Sequence, residues 1–444
     1  MNIEPQTRSI PRAETAARGP GWGLIALYSV PALGVAAPSM FVQFFFLNFA
    51  TDALLLAPAT VGAILAVGRI WDAISDPLVG YGSDRTRSRW GRRRPWMAVA
   101  APATVLSFAA LWSPPPFLQS ATALALWSAA ALFLFTTGFT AWGIPHQALG
   151  VELSDEPHAR TRIFGARFIA ALWGAALSFG AMQIVGNAEE PREMARTLAW
   201  MAAPALGALL LLPVFCLRER PDFQALPLAS PWRATRDVVA NPDARRLLAI
   251  WFLAQLGMSS QGVIAPYMST YVLKRPDLMG VMPALFIGPL ICSVPLWIAA
   301  AAKFGRKRVW LASMAGASIS YVLLTFLPPD DFRLMGVLLG TAGFFTGCVG
   351  PIGPSFFASL VDRDSARTGE RREGVYFAAK EFAEKASGAA VVFVVGVALQ
   401  VVGFEPNVEQ SEPVVWAIRC SLGLFPGTAL VVGALLLRGL EDEN

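Results

Sequence analysis

Runs of about twenty apolar residues, the length that crosses a hydrocarbon core of roughly 30 Å as a helix, recur along this chain from end to end. They fall near 23–49, 58–82, 95–113, 121–149, 164–186, 197–216, 247–273, 279–302, 309–326, 334–360, 374–402 and 413–437. With 55% hydrophobic and 15% charged residues among 444, and a mean hydropathy of +0.50, the chain is too apolar and too sparsely charged for a water-soluble globule. The expected fold class is an all-α membrane protein of twelve transmembrane helices.

The first residues, "MNIEPQTRSIPRAETAARGPGW", are polar and carry no apolar core or small-residue cleavage site, so they read as a cytoplasmic tail and not as a secretory signal. Cys216, Cys292, Cys348 and Cys420 lie in or beside apolar runs without metal-site or dithiol spacing, and read as small packing residues. A pI near 9.2 raises the question of nucleic acid, which the placement of the basic residues answers. They crowd the N-terminal tail and the second, fourth, sixth, eighth and tenth loops, while the odd-numbered loops hold only Arg192, Arg196, Lys274, Arg275 and Arg333. By the positive-inside rule this predicts an even number of spans with both termini cytoplasmic, in a bacterial inner membrane. The basic balance therefore reports orientation, and no nucleic-acid partner is expected.

"GRRRPW" at 91–96 recurs as "GRKRVW" at 305–310, in the second and eighth loops, which are equivalent if the chain repeats a six-helix unit. The expected organisation is a tail (1–21), an N-terminal bundle (22–216), a charged linker (217–246), a C-terminal bundle (247–437) and a second tail (438–444). Two six-helix halves around a cavity resemble the layout of the major facilitator superfamily. The second loop, "GYGSDRTRSRWGRRR", resembles that superfamily's loop motif, with Gly80, Asp84, Arg85, Gly91, Arg92 and Arg93 at the matching places. A glycine permits close helix contact and the charges can form bonds across the helix ends, which points to a cytoplasmic gate.

The second apolar run contains "RIWDAISDP" at 69–77. On a helix Arg69, Asp72, Asp76 and Gly80 fall within an arc of about 80°, a narrow polar stripe on an apolar cylinder. A carboxylate in lipid costs about 2.5 to 3.5 kcal/mol on insertion scales, so the stripe must face protein or water. Two carboxylates one turn apart favour anything cationic: a shared proton, a monovalent metal ion or the Arg69 guanidinium. A static Arg69–Asp72 bridge is the competing structural reading, and it leaves Asp76 unexplained.

This stretch, with "DRTRSRWG", "IPHQALGVELS", "RTRIFGARF", "RTGERREGVYF" and "KASGAA", resembles the glycoside/pentoside/hexuronide:cation symporter family (melibiose permease-like) over nearly the whole chain. The resemblance implies that Asp72 and Asp76 bind a coupling ion, sodium or a proton, with help from Thr140 and with Lys385 beside them. Of that family's sugar-binding positions it leaves Arg167, while Ala36, Gly143 and Gln147 stand where the family has two aspartates and a tryptophan. Missing carboxylates remove acceptors for sugar hydroxyls.

The cavity candidates are Arg69, Arg167, Gln147, Trp142, Gln255 and Gln261, the glutamines on the seventh run forming a polar patch with Ser259 and Ser260. On the eleventh run, i,i+4 spacing predicts the pairs Lys380–Glu384 and Glu381–Lys385. His146 is expected to be structural, His158 to sit in a charged loop, and "GCVGPIGPS" to break the tenth helix. With no phosphate-binding loop, hydrolase elbow or metal-ligand cluster, the expected function is not enzymatic. It is cation- or proton-coupled symport of a sugar-like solute, by a monomer needing no cofactor beyond the ion. The alternatives are the same fold carrying an amphiphile such as a lysolipid or drug, or a non-transporting receptor.

Overall fold

The computed structural model describes residues 21–153, 157–217, 219, 240–328, 331–368 and 373–440. The N-terminal tail, most of the linker, the last four residues, Arg371 and Arg372 lie outside the described residues, as do the side chains of Asp84, His158, Arg160 and Arg162.

Every described element is helical, and the helices form twelve rods. In the first half these are α1 with α2 (Trp22–Ser29, Pro31–Asp52), α3 (Pro58–Arg85), α4 (Arg94–Trp112), α5 (Ala121–Glu152), α6 (Pro157–Gly186) and α7 (Pro191–Cys216). In the second they are α8 (Pro242–Tyr267), α9 (Val281–Phe304), α10 (Arg306–Thr325), α11 with α12 (Phe332–Thr346, Val349–Thr368), α13 (Glu373–Val401), and α14 with α15 (Glu412–Leu422, Leu424–Arg438). Three rods are interrupted, at Val30–Pro31, Gly347–Cys348 and Gly423, where proline lacks an N–H or glycine weakens the helix. The bend expected in the tenth rod falls on "GC" at its start. The seventh rod continues beyond α8 as a π turn, Met268–Val272.

Ten rods are long and apolar enough to cross a membrane by length and composition. The other two, α3 and α10, carry the charges of the polar stripe and of the loop repeat: Arg69, Asp72 and Asp76 in one, Arg306, Lys307 and Arg308 in the other. Burial in α3 follows the expected pattern. Val67, Ile70, Ile74 and Leu78 are exposed on one side, while Asp72, Ser75 and Val79 are buried on the other. The helix runs past the apolar stretch to Arg85. By helix rise this places Asp72 about 20 Å and Asp76 about 14 Å from its end, deeper than the apolar run alone indicates.

Packing inside the first half sets α4 on α5 and α7, α2 on α6, and α3 on α5; in the second, α9 meets α11 and α8 meets α15. The halves join along three seams, α2 with α8, α3 with α13 and α6 with α9. At the α3–α13 crossing, a Cβ on Gly62 would stand 2.9 Å from the Val392 carbonyl oxygen, so only glycine lets these backbones approach. The crossing, together with Thr51 against Tyr267 and Gln183 against the Asp277 carbonyl and Gly280 N–H, closes the arginine-poor end of the molecule. The loop repeat has a structural counterpart: Gly91 (φ 102°) and Gly305 (φ 88°) both adopt the left-handed backbone, leading into α4 and α10.

Candidate functional site

The α3–α13 seam carries the ionisable cluster. Asp72 and Asp76, one turn apart on α3, both receive the Lys385 ammonium from α13: its Nζ lies 2.8 Å from Asp72 Oδ2 and donates to Asp76 Oδ2 as well. From the other side, Thr140 Oγ1 on α5 lies 2.7 Å from Asp72 Oδ1 and 3.1 Å from Asp76 Oδ1. Four side chains from three rods thus enclose one small volume. All are buried or part-buried, and a cation stands between two carboxylates. Thr140 has a single hydroxyl hydrogen and faces two carboxylate oxygens. Both contacts are satisfied when one carboxyl carries a proton and donates it to Oγ1.

One competing reading falls away and one expected pair is corrected. Arg69 forms no hydrogen bond or ion pair with any described residue, so the static Arg69–Asp72 bridge is not made. The acids whose charge acts on it are Asp72 and Glu384. Glu381 does not pair with Lys385, because two carboxylates on α3 outbid one on the lysine's own helix. Instead it accepts from Lys380 at 2.9 Å. Lys380 also reaches Glu384 at 3.5 Å, as the spacing predicts, and lies 4.4 Å over the Trp251 ring, so two carboxylates and an aromatic face hold this buried ammonium.

Not every cavity candidate faces the cluster. Trp142 donates its indole N–H to the Leu210 carbonyl at 2.9 Å and stacks on His146, so it packs α5 against α7. His146 is sandwiched between Trp142 and Tyr28, with Nε2 on the Tyr28 carbonyl at 3.1 Å, the structural role expected of it. Gln261 donates to the Leu422 carbonyl at 3.2 Å, and Ser260 to that of Ser421, so both satisfy acceptors freed by the α14–α15 break and are committed to interhelix bonding. Gln255 is buried without a hydrogen bond to a described residue, Gln147 is exposed, and Arg167 keeps an enclosed Nε that no described residue accepts from.

The residues expected to form a cytoplasmic gate differ in what they touch. Gly82, and not Gly80, is the close-contact glycine: a Cβ there would meet the Trp96 ring at 2.9 Å, whereas at Gly80 it would find ordinary contact with Ile144. Arg85 lies over the Tyr81 ring at 4.0 Å. Glu219, not singled out from the sequence, organises the loop. Its carboxylate accepts from the backbone N–H groups of Arg92, Arg93 and Arg94 at 2.9, 2.9 and 3.0 Å, capping the start of α4, and it fills the space a side chain at Gly91 would need. The arginines beside it, Arg92 and Arg93, are buried. The one available signal was an acid inside "LRERP" just after an apolar run.

Twelve helices in two halves, closed over an ion-paired cluster at their seam, define a secondary transporter of the major facilitator fold. A family model for MFS/sugar transport proteins matches residues 27–440, and the chain belongs to that family. Among relatives, it is 27% identical to the inner membrane symporter YicJ of Escherichia coli, covering 78% of this chain and 75% of that protein. It is 24% identical to the sodium-dependent lysophosphatidylcholine symporter 1-A of Danio rerio, covering 88% and 80%. The crystal structure of a D-xylose-proton symporter superposes with a TM-score of 0.72 at 15% identity, covering 95% of this chain and 98% of that one, a likeness of fold.

Proposed function

We propose that this transporter couples movement of a sugar-like polar solute to a proton or a sodium ion taken up at Asp72, Asp76 and Thr140. Lys385 serves as the internal cation that the coupling ion replaces. The observation that carries this is the Lys385 ammonium between the two carboxylates. The ammonium comes from the opposite half, so it can leave when the halves rock apart and expose the acids to the coupling ion. The single hydrogen of Thr140 supports a proton as the coupling species, while the name of the Danio rerio relative carries sodium. Arg69, Gln255 and Arg167, which lack partners among the described residues, are the groups left to meet the solute. The charge asymmetry of the loops supports cytoplasmic termini, and the name of YicJ supports an inner membrane; the organisation within one chain supports a working monomer.

The test is uptake into liposomes holding the purified protein, under a sodium gradient or a pH gradient, for sugars, glycosides and uronates. Wild-type uptake driven by one gradient, lost in both Asp72→Asn and Asp76→Asn, supports the reading. Gradient-independent uptake in the wild type counts against it. A second reading, an amphiphilic cargo, is favoured by one feature. Where the resembling family has an acid on the fourth helix, Gly143 leaves open space, with no atom near a would-be Cβ. Thermal stabilisation by lysolipids and not by sugars would select it.

A further inference from the structure

A further carboxylate in the seam between the halves takes no part in the proposed coupling. Asp52 ends α2 at the arginine-poor end, part-buried against the second half. Its Oδ2 accepts from Asn48 Nδ2 at 2.9 Å and its Oδ1 lies 3.0 Å from Thr51 Oγ1. Across the seam, the Tyr267 hydroxyl lies 2.9 Å from the same Thr51 Oγ1, and both residues are fully buried. Asn407, in the loop between α13 and α14, takes a left-handed φ of 61°. It aims its side-chain amide at the Asp52 carbonyl (2.8 Å) and its backbone N–H at the Tyr271 hydroxyl (3.1 Å), which stands beside the Asp52 carboxylate.

Counting hydrogens in this network shows a shortage. Thr51 Oγ1 has three partners: Tyr267 Oη, Asp52 Oδ1 and, at 2.9 Å, the Asn48 carbonyl oxygen. The carbonyl can only accept, and so can an ionised carboxylate, yet Thr51 owns one hydrogen. With Asp52 ionised, one of these two contacts is an unsatisfied approach of two acceptors in a part-buried seam, which is costly. With a proton on Oδ1 all three contacts close: Tyr267 and Asp52 donate to Oγ1, and Thr51 donates to the Asn48 carbonyl.

From this count we infer that Asp52 is a second proton-binding site, loaded while the arginine-poor end is closed and emptied as α2 parts from α8. The groups facing it are neutral: Asn48 and Thr51 from α2, Tyr267 and Tyr271 from the seventh rod, and Asn407 and Phe404 from the loop. The first turn of α3 adds no charge. In the adjoining loops the ion pairs Lys274–Glu409 and Arg275–Asp277 are exposed and internally matched, and Glu405 is exposed. No cationic side chain among the described residues therefore offsets an Asp52 charge. Opening brings water, which does.

Two measurements test this, and neither requires transport or a known solute. Infrared difference spectra of the purified protein, closed minus open, in an Asp72→Asn/Asp76→Asn background, are expected to show the carbonyl stretch of a protonated carboxyl that Asp52→Asn removes. Spin labels at Gln119 and Glu412, on opposite halves at the arginine-poor end, report the open-to-closed ratio by their separation. In the same background the closed fraction is expected to rise as pH falls, by at most about tenfold in the ratio per pH unit for one proton. The Asp52→Asn variant, whose amide donates as a protonated carboxyl does, is expected to stay closed at all pH values. A carboxyl band unchanged by Asp52→Asn, or the same pH dependence with and without Asp52, overturns the inference. Because the central aspartates are already neutral in this background, that result leaves the coupling site untouched.

Discussion

Lys385 is held by two carboxylates, and its removal leaves two like charges one turn apart inside the seam. Breaking a buried ion arrangement by deleting one partner costs about 3 kcal/mol or more. Lys385→Ala is therefore expected to lower the unfolding midpoint of the detergent-solubilised protein. Adding Asp76→Asn to Lys385→Ala removes one of the uncompensated charges, so the double variant is expected to be more stable than the single one; a double variant less stable than Lys385→Ala would contradict the pairing. The sequence pointed to all four members of this cluster, because acids inside an apolar run have few uses and the resemblance added Thr140 and Lys385. The resemblance set Lys385 beside the acids; what the residues left open was whether it would be drawn instead to Glu381 on its own helix, and the fold, which brings Lys385 to Asp72 from more than three hundred residues away, decides that.

Among the elements, α4 depends on a residue outside its own sequence. Glu219 accepts three N–H groups at the start of that helix, where no intrahelical acceptor exists. Glu219→Ala is expected to destabilise the protein by about 1 to 3 kcal/mol. Hydrogen exchange should speed up first at the amides of Arg92, Arg93 and Arg94, while exchange in α5 stays as it was. Uniform change along the chain would mean that the carboxylate does not act as a cap. Gly91→Ala should resemble it, since a left-handed φ and the Glu219 carboxylate both exclude a side chain there. The loop motif announced charge at this place; the cap on it comes from the far end of the bundle and has no local signature.

For the whole molecule, the arginine-poor end closes through backbone approaches that only small residues allow. Gly62 meets the Val392 carbonyl, a Cβ on Gly396 would meet the Pro58 carbonyl at 2.6 Å, and Gly262 lies under the Phe44 ring. Gly62→Leu is expected to wedge α3 from α13 and move the population toward the state open at this end. The separation between labels at Gln119 and Glu412 would then lengthen. An unchanged distance distribution would show that the seam yields elsewhere.

The sequence alone determined that this chain lives in a bilayer, that it crosses twelve times, and that a pair of acids on the second crossing needs a cationic partner. Each of these follows from the cost of placing polar groups in hydrocarbon, which is paid residue by residue and can be read in order. Tertiary structure alone decided that Lys385 turns to the pair and away from Glu381, that Trp142 and Gln261 turn to neighbouring helices, and that Asp52 and Glu219 hold distant segments together. Those outcomes are contests among groups far apart in the chain, and only their positions in space determine which contacts form.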